Sequence, residues 1–321
     1  MRLENLLSLV LLGLLGCPSP EAPSSVSSRP SEPEPPASGV GAALASATAS
    51  AAPADARGPG QPYPCAALVC RDFESAEKAL TVVLEETKPA IVAFGESHAL
   101  KGTEGVRSTT ARFTDELLPL FRDRASALVL ELWAPDPKCN KEKVADVAQK
   151  QKVVTEKQAD SNQNEFVKLG EKSRSVGVVP FLLKPTCDDY DKVRSAGDDA
   201  VLAMLDVVTR NMKDKAVTLF HETEKKAPGK MLLTYGGALH NDVAPRKDRE
   251  AWSFAADLDK LAPGRFVEVD LVVPEFIKDT PAWTSLPWFS AYERGQARRV
   301  VLITVGPRSF VLLFAPSVTG D

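Results

Sequence analysis

The chain is short of several things that would direct a reading elsewhere. Only three histidines, four tyrosines and four tryptophans occur in 321 residues. No apolar run approaches the about 20 residues that a membrane-crossing helix needs. The formal net charge is −4 and basic residues do not cluster, so the electrostatic footprint of a nucleic-acid-binding protein is missing. The spacing of the five cysteines does not look like a zinc ribbon. There is no internal repeat, which excludes solenoids and propellers. With histidine this rare, the position of each one carries information.

What is present begins with Leu6–Leu15, an almost purely apolar stretch after Arg2. It has the length of the h-region of a secretory signal. It ends in Leu14-Leu15-Gly16-Cys17, which resembles the lipobox of bacterial lipoproteins. That resemblance implies export, cleavage after residue 16, and acylation of the Cys17 thiol. Residues 17–64 are rich in Pro, Ser, Ala and Gly and poor in large apolar side chains. Such a segment cannot bury enough surface to offset its ordering entropy, and its prolines make it a semi-stiff spacer. Residues 65–321 are long enough for one sizeable core and form the expected folded domain. Pro18 after Cys17 favours the outer membrane, by resemblance to lipoprotein sorting, with the domain facing the periplasm or the cell surface. Four cysteines remain beyond Cys17, an even number in an exported domain. Three pairings are possible. Cys65–Cys70 as a local loop and Cys139–Cys187 as a longer staple are preferred, because Cys139 and Cys187 both follow predicted strands.

Five nearly continuous apolar runs read as strands buried on both faces: Ala90–Phe94, Ala127–Leu132, Val178–Leu183, Met231–Tyr235 and Arg265–Val269. Helical spacing predicts helices over Ser75–Glu86, Thr110–Phe121, Asp198–Lys225 and Glu250–Leu261, with Pro119 tightening or breaking the end of the second. Lys141–Ser175 is polar and helical in pieces. The alternation predicts an α/β fold with a mostly parallel sheet flanked by helices. Val300–Val305, a Gly-Pro-Arg turn and Ser309–Phe314 predict an antiparallel hairpin at the sheet edge.

In such sheets ligands bind beyond the carboxyl ends of the strands. Gly95-Glu96-Ser97-His98 follows the first run, Glu131 and Trp133 end the second, and Tyr235-Gly236-Gly237-Ala238-Leu239-His240 ends the fourth. Two of the three histidines therefore sit at strand ends. Glu96, His98 and His240 are the candidate ligands of a divalent metal such as zinc, manganese or cobalt, with one position open for water. Without metal, a histidine held by a carboxylate is still a general base. Glu131 is the candidate further ligand or proton acceptor. An ionised carboxylate ending a buried strand needs a partner, for which Arg107 and Arg112 are candidates. The same arginines could stabilise a developing oxyanion. Gly236 and Gly237 permit close backbone approach to a ligand. His221 lies in a polar helical stretch and reads as solvated surface.

Ile91-Val-Ala-Phe-Gly-Glu-Ser-His98, a helix, then Leu128-Val-Leu-Glu131 and a late Gly237-Ala-Leu-His240 resemble the superfamily that joins ChaN-like haem-binding lipoproteins, Tiki/TraB-type proteins and erythromycin esterases. The resemblance implies an α/β domain with its site on these motifs. It implies either a metal-assisted hydrolase of an ester or peptide bond, acting on a small molecule or peptide, or a haem- or iron-binding lipoprotein. In the second case Tyr235 could supply a phenolate to iron, with Trp133 lining an exposed apolar patch.

Overall fold

The computed structural model describes residues 58–292 and 299–317, together with Leu9–Val10. Most of the apolar N-terminal run, the expected cleavage site at Cys17 and the spacer up to residue 57 lie outside the described residues.

The chain enters through a hairpin, β1 (Pro62–Cys65) and β2 (Leu68–Phe73). The expected spacer therefore ends a few residues early, since Pro62 already pairs with Arg71. Helix α1 (Ala76–Thr87) follows, capped by the Ser75 side chain accepting from the Lys78 amide. Then come β3 (Ile91–Glu96), a short helix α2 (Thr109–Arg112) and β4 (Ala125–Trp133). Between α2 and β4 the helix widens over Phe113–Leu117 and tightens over Leu118–Phe121. That is where Pro119 removes an amide donor.

Two helices, α3 (Lys141–Thr155) and α4 (Asn162–Ser175), replace the single crossover helix before β5 (Val179–Leu183). Next are α5 (Cys187–Ser195), the long α6 (Ala200–Lys226) and β6 (Met231–Gly237). The chain ends with α7 (Ala255–Leu261), β7 (Phe266–Val272), α8 (Pro281–Thr284), β8 (Val300–Gly306) and β9 (Ser309–Leu313). The expected helix over Glu250–Leu261 is shorter: Glu250–Trp252 is a separate 3-10 turn, and the Ser253 hydroxyl accepts from the Ala255 amide to start α7.

The strands form one sheet in the order β5-β4-β6-β3-β7-β9-β8-β2-β1. The pairs from β5 to β9 are parallel and the remainder antiparallel. Leu9–Val10 adds a two-residue antiparallel pairing to Leu132–Trp133. The fold is the expected α/β class. The hairpin β8–β9 forms as expected and joins the antiparallel end of the sheet, where the β1–β2 hairpin takes the outermost place.

Pleating sorts the central strands onto two cores. Val92, Phe94, Leu128, Leu130, Leu233 and Tyr235 belong to one, beneath α1, α2 and α4. Ile91, Ala93, Val129, Trp133 and Leu232 belong to the other, beneath α5, α6 and α7. Successive strand residues point to opposite faces, so Glu96 continues the first row and Glu131 the second. Both expected disulfides are present, Cys65–Cys70 within the first hairpin and Cys139–Cys187 between the ends of β4 and β5.

Candidate active site

The carboxyl ends of β3, β4 and β6 carry two acid–histidine pairs, one on each face of the sheet. The first grows from β3. Glu96 is its last residue, and the loop that leaves it turns His98 back so that Nδ1 lies 2.5 Å from Glu96 Oε1. The other carboxylate oxygen, Oε2, accepts from the Thr110 hydroxyl at 2.6 Å and the Tyr235 hydroxyl at 2.7 Å. Thr110 is delivered by the first turn of α2. That turn is held by the Ser108 cap, and the Thr109 hydroxyl donates to the Ser97 carbonyl at 3.2 Å.

All of these groups are buried. Burial alone would push the Glu96 carboxyl up. Attraction to the His98 ring when it is protonated, and the hydrogen bonds from His98, Thr110 and Tyr235, outweigh it and hold the group below the usual carboxylate value. Glu96 is thus an anion in a dry site. A carboxylate oxygen on Nδ1 leaves His98 Nε2 unengaged, and that atom is buried with no hydrogen-bond partner.

The second pair grows from β4 and β6. Glu131 Oε2 accepts from the Gly237 amide at 2.7 Å. Oε1 has no hydrogen-bond partner and lies 3.8 Å from His240 Nε2, which has none either. His240 Nδ1 is 2.9 Å from the Trp252 carbonyl oxygen and 3.0 Å from the Thr209 hydroxyl. A carbonyl only accepts, so Nδ1 carries the proton and Nε2 the lone pair. Burial, reinforced by the His98 charge, pulls His240 down to about 4, so it is neutral at pH 7. Burial, reinforced by the Glu96 charge, pushes Glu131 well above its ordinary value, which favours its protonated form. The two pairs feel each other across the sheet edge. One carboxyl is shifted toward its charged form and the other toward its protonated form.

Glycine makes this arrangement possible at two places. A Cβ at Gly236 would stand 2.4 Å from Glu131 Oε2, and one at Gly95 would stand 2.2 Å from Asp270 Oδ1 and 2.7 Å from the Ala238 Cα. Gly95 and Gly236 are register partners, so the floor between the pairs is bare backbone. Above the first pair, α4 forms a roof. The Phe166 ring centroid is 6.2 Å from that of His98 and 5.5 Å from that of Tyr235. The Ala99 carbonyl accepts from the Ala159 amide and the Asn162 side chain, which pins the loop after β3 beneath the α3–α4 connection. A further acidic group, Asp242, Glu268 and Asp270, lies beside the second pair.

Several sequence expectations are corrected by these positions. Arg107 is exposed and paired with Asp115 at 2.6 Å and Glu116 at 2.5 Å. Arg112 is buried but donates to the Ala315 carbonyl and the Ser317 hydroxyl, each at 2.9 Å, with its guanidinium over the Phe314 ring. Neither arginine partners Glu131, so the only cations foreseen for an oxyanion are engaged elsewhere. Gly236 and Gly237 are approached by Glu131 rather than left open to a ligand.

Both oxygens of Glu96 face protein donors, so Glu96, His98 and His240 are not arranged as a three-ligand metal centre. Among the described residues no group of three or more His, Cys, Asp or Glu side chains is placed to hold a metal ion. The haem geometry does not fit either. Tyr235 and Trp133 are both fully buried and belong to opposite faces of the sheet, and the Tyr235 hydroxyl is held by Glu96. His221 is exposed, as expected. Sequence reasoning missed Thr110, Thr209 and Phe166, which reach the site from the helices around it.

No protein-family model matches the chain, and no curated protein matches it. Among solved structures, an erythromycin esterase (a mutant of EreC in its open conformation) is similar over 76% of this chain and 94% of that one, at 8% sequence identity and a TM-score of 0.36. A likeness that faint adds nothing to the reading of the site, which rests on the two acid–histidine pairs.

Proposed function

We propose that this protein is a hydrolase of ester or peptide bonds in which His98 is the general base and Glu131 the proton donor. The observation that carries the reading is the division of charge between the two buried carboxyls. Glu96, against His98 Nδ1, is shifted toward its anion, and Glu131, 3.8 Å from the His240 lone pair, is shifted toward its neutral acid. Environments that separate the pKa values of two carboxyls assign one to the base side of a reaction and the other to the acid side.

In its neutral form, with the Nδ1 proton given to Glu96, His98 can take a proton from water on Nε2 as the water attacks a carbonyl carbon, and the anion of Glu96 stabilises the imidazolium that forms. Glu131 Oε1 can donate its proton to the leaving oxygen or nitrogen. The lone pair of His240 Nε2, 3.8 Å away, favours the protonated form of Glu131. Water exclusion by the Phe166 roof strengthens each of these interactions. The atoms balance: water supplies the hydroxyl to the acyl carbon, and the leaving group departs with the proton from Glu131. The proton on His98 then restores Glu131 as product leaves.

The apolar N-terminal run and Cys17 support a second part of the reading, a lipid-anchored hydrolase tethered by its spacer outside the cytoplasm. A Cys17→Ser variant is expected to move from the membrane to the soluble fraction.

The test uses the full chain and p-nitrophenyl acetate as the probe ester. His98→Ala is expected to lose on the order of a thousandfold in kcat, the range of a positioned general base. Glu96→Gln should follow it closely. Activity should survive a strong chelator, because no metal step is invoked. Hydrolysis that is unchanged in His98→Ala would remove the reading, and loss of activity on chelation would replace its metal-free chemistry.

A further inference from the structure

Tyr235 was the one aromatic residue of the late motif, and the structure gives it a different task from holding a ligand. It stands on β6 in register with Phe94 of β3, two residues before Glu96. Its ring is fully buried between Phe113, with centroids 4.6 Å apart, and Phe166, with centroids 5.5 Å apart. A ring wedged in this way on a central strand has one position, and so its hydroxyl has one position. That hydroxyl lies 2.7 Å from Glu96 Oε2 and 3.2 Å from the Thr110 hydroxyl, which itself donates to the same oxygen at 2.6 Å.

The two hydroxyls bracket Oε2, while Oε1 meets His98 Nδ1. A carboxylate group is planar, so fixing Oε2 from two directions fixes the plane in which Oε1 presents its lone pair. The imidazole aligns to that lone pair, because hydrogen-bond strength falls steeply with misalignment.

We propose that Tyr235 is a positioning residue, whose hydroxyl, together with that of Thr110, sets the plane of the Glu96 carboxylate and thereby the direction in which His98 Nε2 points. The proposal rests on His98 being the base of the reaction. It goes beyond that reading by naming the group that aims the base, and it excludes Tyr235 as a contact for substrate or iron. A buried tyrosine whose only role is packing would tolerate loss of its hydroxyl without effect on His98. Tyr235→Phe separates the two cases, because it keeps the ring and removes one oxygen. Thr110→Val removes the other donor to Oε2 and provides an independent reading should Tyr235→Phe fail to fold.

The experiment measures two things on the purified full chain and both variants. One is the far-downfield proton resonance expected of a short imidazole–carboxylate hydrogen bond, assigned by its disappearance in His98→Ala. The other is kcat and KM for p-nitrophenyl acetate. Each variant is expected to shift or broaden the resonance and to lower kcat about tenfold, the scale of one hydrogen bond to a charged group, with KM within about twofold. A resonance that is unchanged in both variants would overturn the proposal. So would a change in KM with kcat unaltered, which would make Tyr235 a substrate contact instead. If the wild-type chain shows no ester hydrolysis that depends on His98, the hydrolase reading falls. The resonance still decides whether Tyr235 positions the imidazole.

Discussion

Single residues hold opposite ionisation states within one small volume, and this has measurable consequences for stability. Asp270 is buried, and burial together with the nearby Asp242 raises it from 3.8 to about 7. Glu268 is likewise raised, by burial and by Asp270. An acid raised in the folded state keeps its proton where the unfolded chain has released it. Its contribution is therefore complete at low pH and is lost as pH rises through about 7. Asp270→Asn cannot ionise, so it is expected to melt several degrees above the wild type at about pH 8 and level with it near pH 3, as linkage requires.

His240 works in the other direction. It is lowered from 6.5 to about 4, so its native environment is destabilised as pH falls across that interval and the unfolded chain takes up a proton first. A thermal melt followed against pH, in the wild type and in Asp270→Asn, checks both signs. Steric constraint at Gly236 is as local. Gly236→Ala would force Glu131 aside, because its Cβ would fall 2.4 Å from Oε2. The expected cost is about 1–3 kcal/mol, typical of overpacking, together with loss of the proton donor and of activity on the probe ester.

At the scale of elements, legibility in the sequence followed burial. The central strands are continuous apolar runs because both of their faces are covered, so each was visible from composition alone. The β1–β2 hairpin was not. β1 has two prolines in four residues and alternates between exposed and half-buried positions. That pattern suits an edge strand, where a missing donor costs nothing and blocks further pairing, but it is indistinguishable in sequence from a Pro-rich spacer.

The site shows the same division. Glu96, His98, Glu131 and His240 were found because strand ends can be counted. The facing of Tyr235 onto Glu96 depends on the register of β6 against β3, which no local pattern encodes. Arg107 and Arg112 were misplaced for a related reason: Arg107, just before α2, pairs with Asp115 and Glu116, and Arg112, the last residue of α2, reaches the C-terminal segment.

The Cys139–Cys187 bond acts at this scale too. It closes 48 residues of chain around α3, α4 and β5. Loop-closure entropy assigns it about 4 kcal/mol. Replacing both cysteines by alanine is expected to lower the urea midpoint accordingly. A loss below about 1 kcal/mol would mean that helix packing alone holds the α3–α4 roof.

Over the described residues, the two acid–histidine pairs are joined through the sheet. One belongs to the core under α1, α2 and α4, the other to the core under α5, α6 and α7, and the strands between them contribute to both. Leu232 faces one core and Leu233 the other on the same strand. Neither core can open without exposing the back of the other. The antiparallel end has its own apolar cluster, with Trp283, Trp288, Ile303 and Val311. It too is continuous with the rest, because β9 pairs in parallel with β7 along its full length, from Ser309 opposite Glu268 to Leu313 opposite Val272.

A domain of this size commonly unfolds in stages, but here each candidate stage would leave a central strand half stripped. The expected result is one calorimetric transition whose van't Hoff and calorimetric enthalpies agree, with the loss of His98-dependent hydrolysis coinciding with it. An early, separate transition reported by tryptophan fluorescence, while hydrolysis persists, would show instead that the end carrying Trp283 and Trp288 melts on its own. The site would then depend on the parallel half of the sheet alone.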